Sequence, residues 1–448
     1  MLVDPVQETV TESIAKVGKK TLKRVDYKYD ARKYNHLDLA KNWEKLNVIG
    51  AIPKIPMPPS LMRVRGLFQE DFEDICEYGE AYCDISDPVA GLLQWQHLAS
   101  SECGMIGRND NFLSIITKVS GATLIRDKND VGSVSGKRPD ACVLQDGVPL
   151  FRLEEKYEQR ELQTAKLELK YKMVHWLQQY GNIPCVIAVV IAGNTLALYR
   201  INAHLDMKLI AEHLDMSTLA ARKNAVCAAV HLGHLLRAFK KMIRPSHIPF
   251  FVKCFRQMGG FIQLGTTHVT KGYKNPEVFK NVMKVLELIK AEGIKNTIRL
   301  LRKPKKTRLT LHLEPVGEQR DPQNNAEMAK VIITVLKVLI ILHSKNWCHC
   351  DLRWDNIIFC NDDPVLIDFE YARELGAAAP KVKNIDPRNP EPDKWDAAAD
   401  TYQVGQMIIT SPHSTLDEKR VASECTVFAR SEASVLLTRL QSLKGVWS

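Results

Sequence analysis

Residues 137 to 156, KRPDACVLQDGVPLFRLEEK, constrain this chain more than any other stretch, because Pro139-Asp140 stand ahead of Glu154-x-Lys156. The apolar run Val148 to Leu153 leads straight into the second pair and reads as a strand. Side chains alternate along a strand, so Glu154 and Lys156 project to one face and Glu155 to the other. Two carboxylates and an ammonium then converge. Asp140 and Glu154 supply hard oxygen ligands for Mg²⁺, and Lys156 can orient or help deprotonate an attacking water, or stabilise charge developing on a phosphate. That is the equipment of phosphodiester hydrolysis.

The flanking text supplies an ordered α-β-β-β-α-β series. Ser100 to Val119 can form a leading helix with Glu102 near its start, and Ala122 to Ile125 and Ala141 to Leu144 are short strands. The turn Gly136-Lys137-Arg138 delivers Asp140. Leu162, Ala165, Leu169, Met173, Trp176 and Tyr180 recur at helical spacing, which predicts one helix over 161–180. The buried run PCVIAVVIAG and then TLALYRI follow as strands. This pattern resembles the PD-(D/E)xK, or restriction-endonuclease-like, nucleases, and the resemblance implies catalytic roles for Glu102, Asp140, Glu154 and Lys156 with Mg²⁺ held by Asp140 and Glu154.

A second constellation spans 342–376. His349-x-Asp351-Leu-Arg-x-x-Asn356, followed by Asp368-Phe369-Glu370, resembles the catalytic loop and metal-binding segment of protein kinases. The resemblance implies that Asp351 accepts the substrate hydroxyl proton while Asn356 and Asp368 hold Mg²⁺ against ATP. Ala326 to His343 reads as an apolar helix arriving at the loop, and Pro364 to Asp368 as a strand leaving it. Upstream, Val269-Thr270-Lys271 and a helix over 276–291 suit the lysine and glutamate that position phosphates, with Glu287 the candidate and Glu277 and Glu292 its competitors. Arg308 to Glu318 reads as a hinge strand with Glu314 beside the adenine-binding backbone.

Four departures stand out. Gly259, Gly260 and Gly265 do not form GxGxxG, Glu370 replaces the glycine after Asp-Phe, Cys350 replaces arginine before the catalytic Asp, and no Ala-Pro-Glu follows. WDAAADTYQVG resembles the kinase segment whose Asp braces the catalytic loop by hydrogen bonds to its backbone, with Asp400 a better candidate than Asp396. The large lobe reads as shortened.

At 448 residues and 45% hydrophobic content the chain can bury two or three cores. The expected fold is multidomain: an α/β restriction-endonuclease-like domain over 86–205, then an α+β two-lobed protein-kinase-like domain over 246–448. Residues 1–85 form a region without readable chemistry, and 206–245 a helical linker carrying His231 and His234. The net charge of +10 favours an acidic partner. Lys137 and Arg138 beside Asp140 can hold a nucleic-acid backbone over a metal centre, and basic runs also lie at 19–33 and 302–308. The expected partners are nucleic acid, double-stranded DNA first, and a protein substrate of the second domain. No apolar stretch reaches the roughly eighteen residues that a membrane span needs, so no membrane partner is expected. The N-terminus carries acidic residues and no apolar core, so it is no signal peptide. Eleven cysteines without zinc spacing suit a reducing compartment.

A nuclease-like segment followed by a degenerate kinase is similar to the Crinkler-type effectors of oomycetes and fungi, although the usual N-terminal translocation header is absent. That likeness implies secretion, action in the host nucleus and DNA damage. Two classes of function remain open: a Mg²⁺-dependent nuclease with a regulatory or phosphotransferring partner domain, or a kinase or pseudokinase signalling effector whose nuclease-like part only binds nucleic acid.

Overall fold

A computed structural model of the chain describes residues 23–24, 49–79, 81–94, 102–126, 139–173, 176–256, 259–304, 309–378, 394–428 and 431–443. Lys137, Arg138 and most of the other basic runs lie outside these residues. The chain is mixed α/β and divides into two units, Met1–Pro245 and Ser246–Ser448.

The first unit is built on a seven-stranded sheet. Its strands are β1 (Thr123–Arg126), β2 (Ala141–Gln145), β3 (Val148–Lys156), β4 (Val186–Ala192), β5 (Thr195–Ile201), β6 (Met207–Leu209) and β7 (Leu214–Asp215). They run in the order β6–β5–β4–β3–β2–β1, with β7 also on β5. The β2–β3 hairpin turns at Asp146-Gly147, both at positive φ (46° and 81°), the geometry that a tight Asp-Gly turn supplies. β3 then pairs in parallel with β4, Glu154 opposite Val190 and Lys156 opposite Ala192. That central place explains why β3 and β4 are buried almost throughout.

The helix α1 (Ser86–Gln94) packs on α2 (Glu102–Ser120), which borders β1, and α3 (Leu162–Tyr171) lies against β3 and β4. The helix expected over 161–180 stops at Tyr171. Leu177 is extended, only a 3₁₀ turn forms at Gln178–Tyr180, and the carbonyl of Lys172 at the helix end is taken by Arg152 Nη1 at 3.1 Å. A fourth helix, α4 (Leu219–Phe239), begins at Thr218, whose hydroxyl accepts from Ala221 N at 3.2 Å. It is no linker. Fifteen of its residues are buried, and Gly233 lies so close to Val119 and Ile116 of α2 that a β-carbon would collide. His231 and His234 are buried on it.

The second unit opens with a five-stranded antiparallel sheet: β8 (Lys253–Phe255), β9 (Phe261–Leu264), β10 (Val269–Gly272), β11 (Arg299–Leu300) and β12 (Thr310–Glu314), in the order β8–β9–β10–β12–β11. One helix, α5 (Pro276–Ala291), connects β10 to β11 and is capped by Asn275, whose side chain accepts from Glu277 N. The apolar α6 (Asn325–Ser344) centres a helical layer with α7 (Ala397–Thr410), α8 (Leu416–Ala422) and α9 (Ala433–Gln441). Val331, Ile332, Val335, Leu336 and Leu339 of α6 share a core with Leu436 and Leu440 of α9 and Val404 and Ile408 of α7. A hairpin, β13 (Ile357–Cys360) and β14 (Asp363–Leu366), lies beside α6. Among the described residues no helix is long and apolar enough to cross a membrane.

Candidate active sites

In the first unit, alternation along β3 separates its three charged residues. Arg152, Glu154 and Lys156 share the face that carries α3. Glu155 turns to the other face, where Arg126 and Asn109 of α2 hold its carboxylate. Its backbone N–H donates to Asp140 Oδ2 at 2.8 Å, which fixes Asp140 beside the end of β3.

Glu154 is fully buried, and one of its oxygens, Oε1, is without a hydrogen-bond partner. Burial and the neighbouring Asp140 push this carboxyl up to about 8 against the pull of Lys172. The other oxygen, Oε2, accepts from Lys172 Nζ at 2.6 Å. The same ammonium stands 3.6 Å from Glu168 and 4.0 Å from Asp140. Lys156 pairs instead with Glu168 at 2.9 Å, a contact that raises its pKa despite partial burial.

The structure therefore brings Asp140, Glu154 and Lys156 into one cluster and adds Glu168 and Lys172 from α3 and its end. Sequence reasoning missed both. Their i,i+4 spacing on the helix next to β3 was the available signal. Glu102 opens α2, and its side chain lies outside the described residues.

In the second unit, Asp400 organises the loop between α6 and β13. Its carboxylate accepts the backbone N–H of His349 and of Cys350, each at 2.8 Å, and the Trp395 indole N–H at 3.0 Å, with His343 Nε2 also 3.0 Å away. These bonds hold Cys350 at a φ of 69°, a left-handed conformation a non-glycine residue keeps only when its surroundings enforce it. Burial raises the Asp400 pKa, but the His343 and His349 contacts outweigh it and hold the carboxyl below its usual range. Gln403 Oε1 accepts from Leu352 N and extends the brace.

Within the braced loop, Asn356 Nδ2 donates to the Asp351 carbonyl at 2.7 Å and its carboxylate at 2.9 Å. Asn356 O accepts from Ile367 N at 2.9 Å, setting Asp368 alongside. Asp368 sits at a φ of 65° and meets Lys271 Nζ of β10 at 2.8 Å. Lys271 also meets Glu370 at 2.7 Å. Arg256, from the turn between β8 and β9, pairs with Glu370 and approaches Asp368 at 3.7 Å.

Asp351, Asn356, Asp368 and Lys271 thus converge, but Glu287 does not join them. The buried stripe Val282, Val285, Leu286 and Ile289 turns Glu287 outward on α5, where it is exposed. Asn281 of α5 donates to the Ala372 carbonyl, in the segment after Asp368. Glu370 and Arg256 fill the place next to Lys271 that the expected glutamate would take.

No family model matches the chain. A kinase structure, that of PK-1 from the Cydia pomonella granulovirus, aligns at 19% identity over 35% of this chain and 64% of its own, with a TM-score of 0.30, a similarity too low to fix a fold. Crinkler effector protein 8 of Phytophthora infestans is 27% identical over 346 residues, which is 73% of this chain and 55% of that protein. The chain spans about half the length of this curated relative. Over most of its length the chain is thus similar to a Crinkler effector.

Proposed function

We propose that the chain is a Mg²⁺-dependent nuclease that cleaves nucleic acid, double-stranded DNA first, through Asp140, Glu154 and Lys156, with Glu102 a further catalytic candidate, and that it acts as an effector in the nucleus of a host cell. The observation that carries this reading is the buried Glu154 carboxyl with its unpartnered Oε1 beside Asp140. A buried carboxylate is tolerated when a cation compensates it, and an all-oxygen donor pair suits Mg²⁺. The residues present therefore fit the ion. When bound, Mg²⁺ would polarise the scissile phosphate and acidify a water. Asp140 and Glu154 would hold it. Lys156, kept cationic by Glu168, would stabilise charge on the phosphate. The net charge of +10 supports a polyanionic substrate.

The second unit supports a companion reading as an ATP-binding, kinase-like module. Asn356 and Asp368 offer oxygens suited to Mg²⁺, Lys271 a cation for phosphates, and Asp351 a base for a hydroxyl. A protein would then be its phosphoacceptor. Supercoiled plasmid incubated with the purified chain tests the main reading. It should be nicked with Mg²⁺ and untouched in EDTA. Intact plasmid in both, with ATP hydrolysis or phosphotransfer present, would favour the signalling reading.

A further inference from the structure

Lys172 belongs to neither motif, yet it occupies the centre of the first-unit cluster. Its ammonium touches Glu154 at 2.6 Å and lies within 4.0 Å of both Glu168 and Asp140. Three carboxylates around one cation reproduce with nitrogen the arrangement that a hard divalent ion takes with oxygen ligands. The placement is built rather than incidental. Lys172 ends α3, and its carbonyl is gripped by Arg152, a guanidinium fully buried on the same face of β3 as Glu154. Long lysine side chains ordinarily extend into water, whereas this one is only 12% exposed.

We infer that Lys172 is the resident counter-cation of the Asp140/Glu154/Glu168 cage and that a divalent metal loads by exchange for its ammonium, so that Lys172 sets the metal affinity of the centre. The inference deepens the nuclease reading and rests on it. Without an internal cation, a fully buried Glu154 beside Asp140 would carry either uncompensated charge or a proton whenever the metal was absent. With Lys172 in place the metal-free fold is kept, at the expense of metal affinity, because two cations compete for one set of oxygens. Lys156 is already engaged by Glu168 at 2.9 Å, whereas Lys172 is the ammonium that touches Glu154. Lys172 is thus a positioning and competing residue.

The test is calorimetric titration of the full chain with Mn²⁺, beside the variants Lys172→Met, Lys172→Gln and Asp140→Asn, with thermal unfolding followed in EDTA and in Mn²⁺. Removing the ammonium should tighten Mn²⁺ binding by roughly tenfold. It should also lower the unfolding midpoint in EDTA and enlarge the rise that Mn²⁺ produces. Lys172→Gln, which keeps a donor for Glu154, guards against a Met variant that fails to fold. Unchanged or weaker Mn²⁺ affinity in both Lys172 variants, with Asp140→Asn losing binding, would overturn the exchange and leave the nuclease centre standing. Asp140→Asn binding Mn²⁺ as the parent does would remove the nuclease reading and this inference together.

Discussion

Glu370 meets the Lys271 ammonium at 2.7 Å and also pairs with Arg256, tying the hairpin turn of the small sheet to the segment after Asp368-Phe369. A glycine there would leave both cations with Asp368 as their remaining carboxylate. Glu370 instead presents a carboxylate in their midst, and an incoming nucleotide must compete with it. Glu370→Gly should therefore strengthen Mg²⁺-ATP binding, by about 1–2 kcal/mol or roughly tenfold. Lys271→Ala should weaken it. Calorimetry on both variants checks the pair, and a Glu370→Gly affinity equal to or below the parent's contradicts it.

Asp368 and Asp351 should separate binding from turnover. Asp368 is the carboxylate next to Lys271, so Asp368→Ala should cost about 1.5–3 kcal/mol of Mg²⁺-ATP binding, the worth of a charge-assisted contact. Asp351 bonds only within the loop and to Asn356, so Asp351→Asn should leave ATP affinity nearly intact and abolish autophosphorylation. Equal losses of affinity in both variants would dissolve the distinction.

Acid should unfold the second unit through two groups acting in one direction. His349 is fully buried and its pKa is lowered by that burial, only partly offset by Asp400. The unfolded chain takes up its proton first, so stability falls once pH drops below about 6.5. Asp400 is held below its usual range, so its contribution is present above about pH 4 and lost as pH falls further. Asp400→Ala, which strands the N–H groups of His349 and Cys350, should destabilise by about 3–5 kcal/mol at neutral pH and flatten the steepest acid limb. Denaturant melts across pH 3 to 8 measure both effects.

Glu155 provides a contrast with its neighbours on β3. Its carboxylate is buried against Arg126 and Asn109, away from Glu154 and Lys156. Glu155→Ala should lower stability by about 1–3 kcal/mol through the lost contacts to Arg126 and Asn109, with Arg126 keeping its pair to Asp110, and should keep cleavage, because the backbone N–H that holds Asp140 survives the change. Loss of cleavage in a folded Glu155→Ala protein would move the catalytic face.

How much of this was legible depended on how local each feature is. The strand carrying Glu154 and Lys156, its hairpin with Asp140 and the Asp351-to-Asp368 segment rest on period-two alternation and short spacings, which one stretch of chain displays by itself. The grip of Arg152 on the end of α3 and the crossing of Arg256 to Glu370 join separate segments, so no local pattern announces them, and the i,i+4 spacing of Glu168 and Lys172 does not say which carboxylates of the strand they meet. The helix over 161–180 was overextended for that reason, since its end is capped from β3. Glu287 was open to correction, because the apolar stripe of α5 already turned it outward. The 206–245 segment read as an amphipathic linker helix because amphipathicity does not say what a helix packs against, whereas the small face around Gly233 lets it pack tightly against α2.

The central claim is that Asp140 and Glu154 hold a catalytic metal. Its most direct measurement is plasmid cleavage in Mg²⁺ by the parent, Asp140→Asn and Glu154→Gln, with circular dichroism recorded on each protein. The account expects the parent to cleave and both variants to lose cleavage by about 10²-fold or more with unchanged spectra. Parent-level cleavage by either folded variant would contradict it.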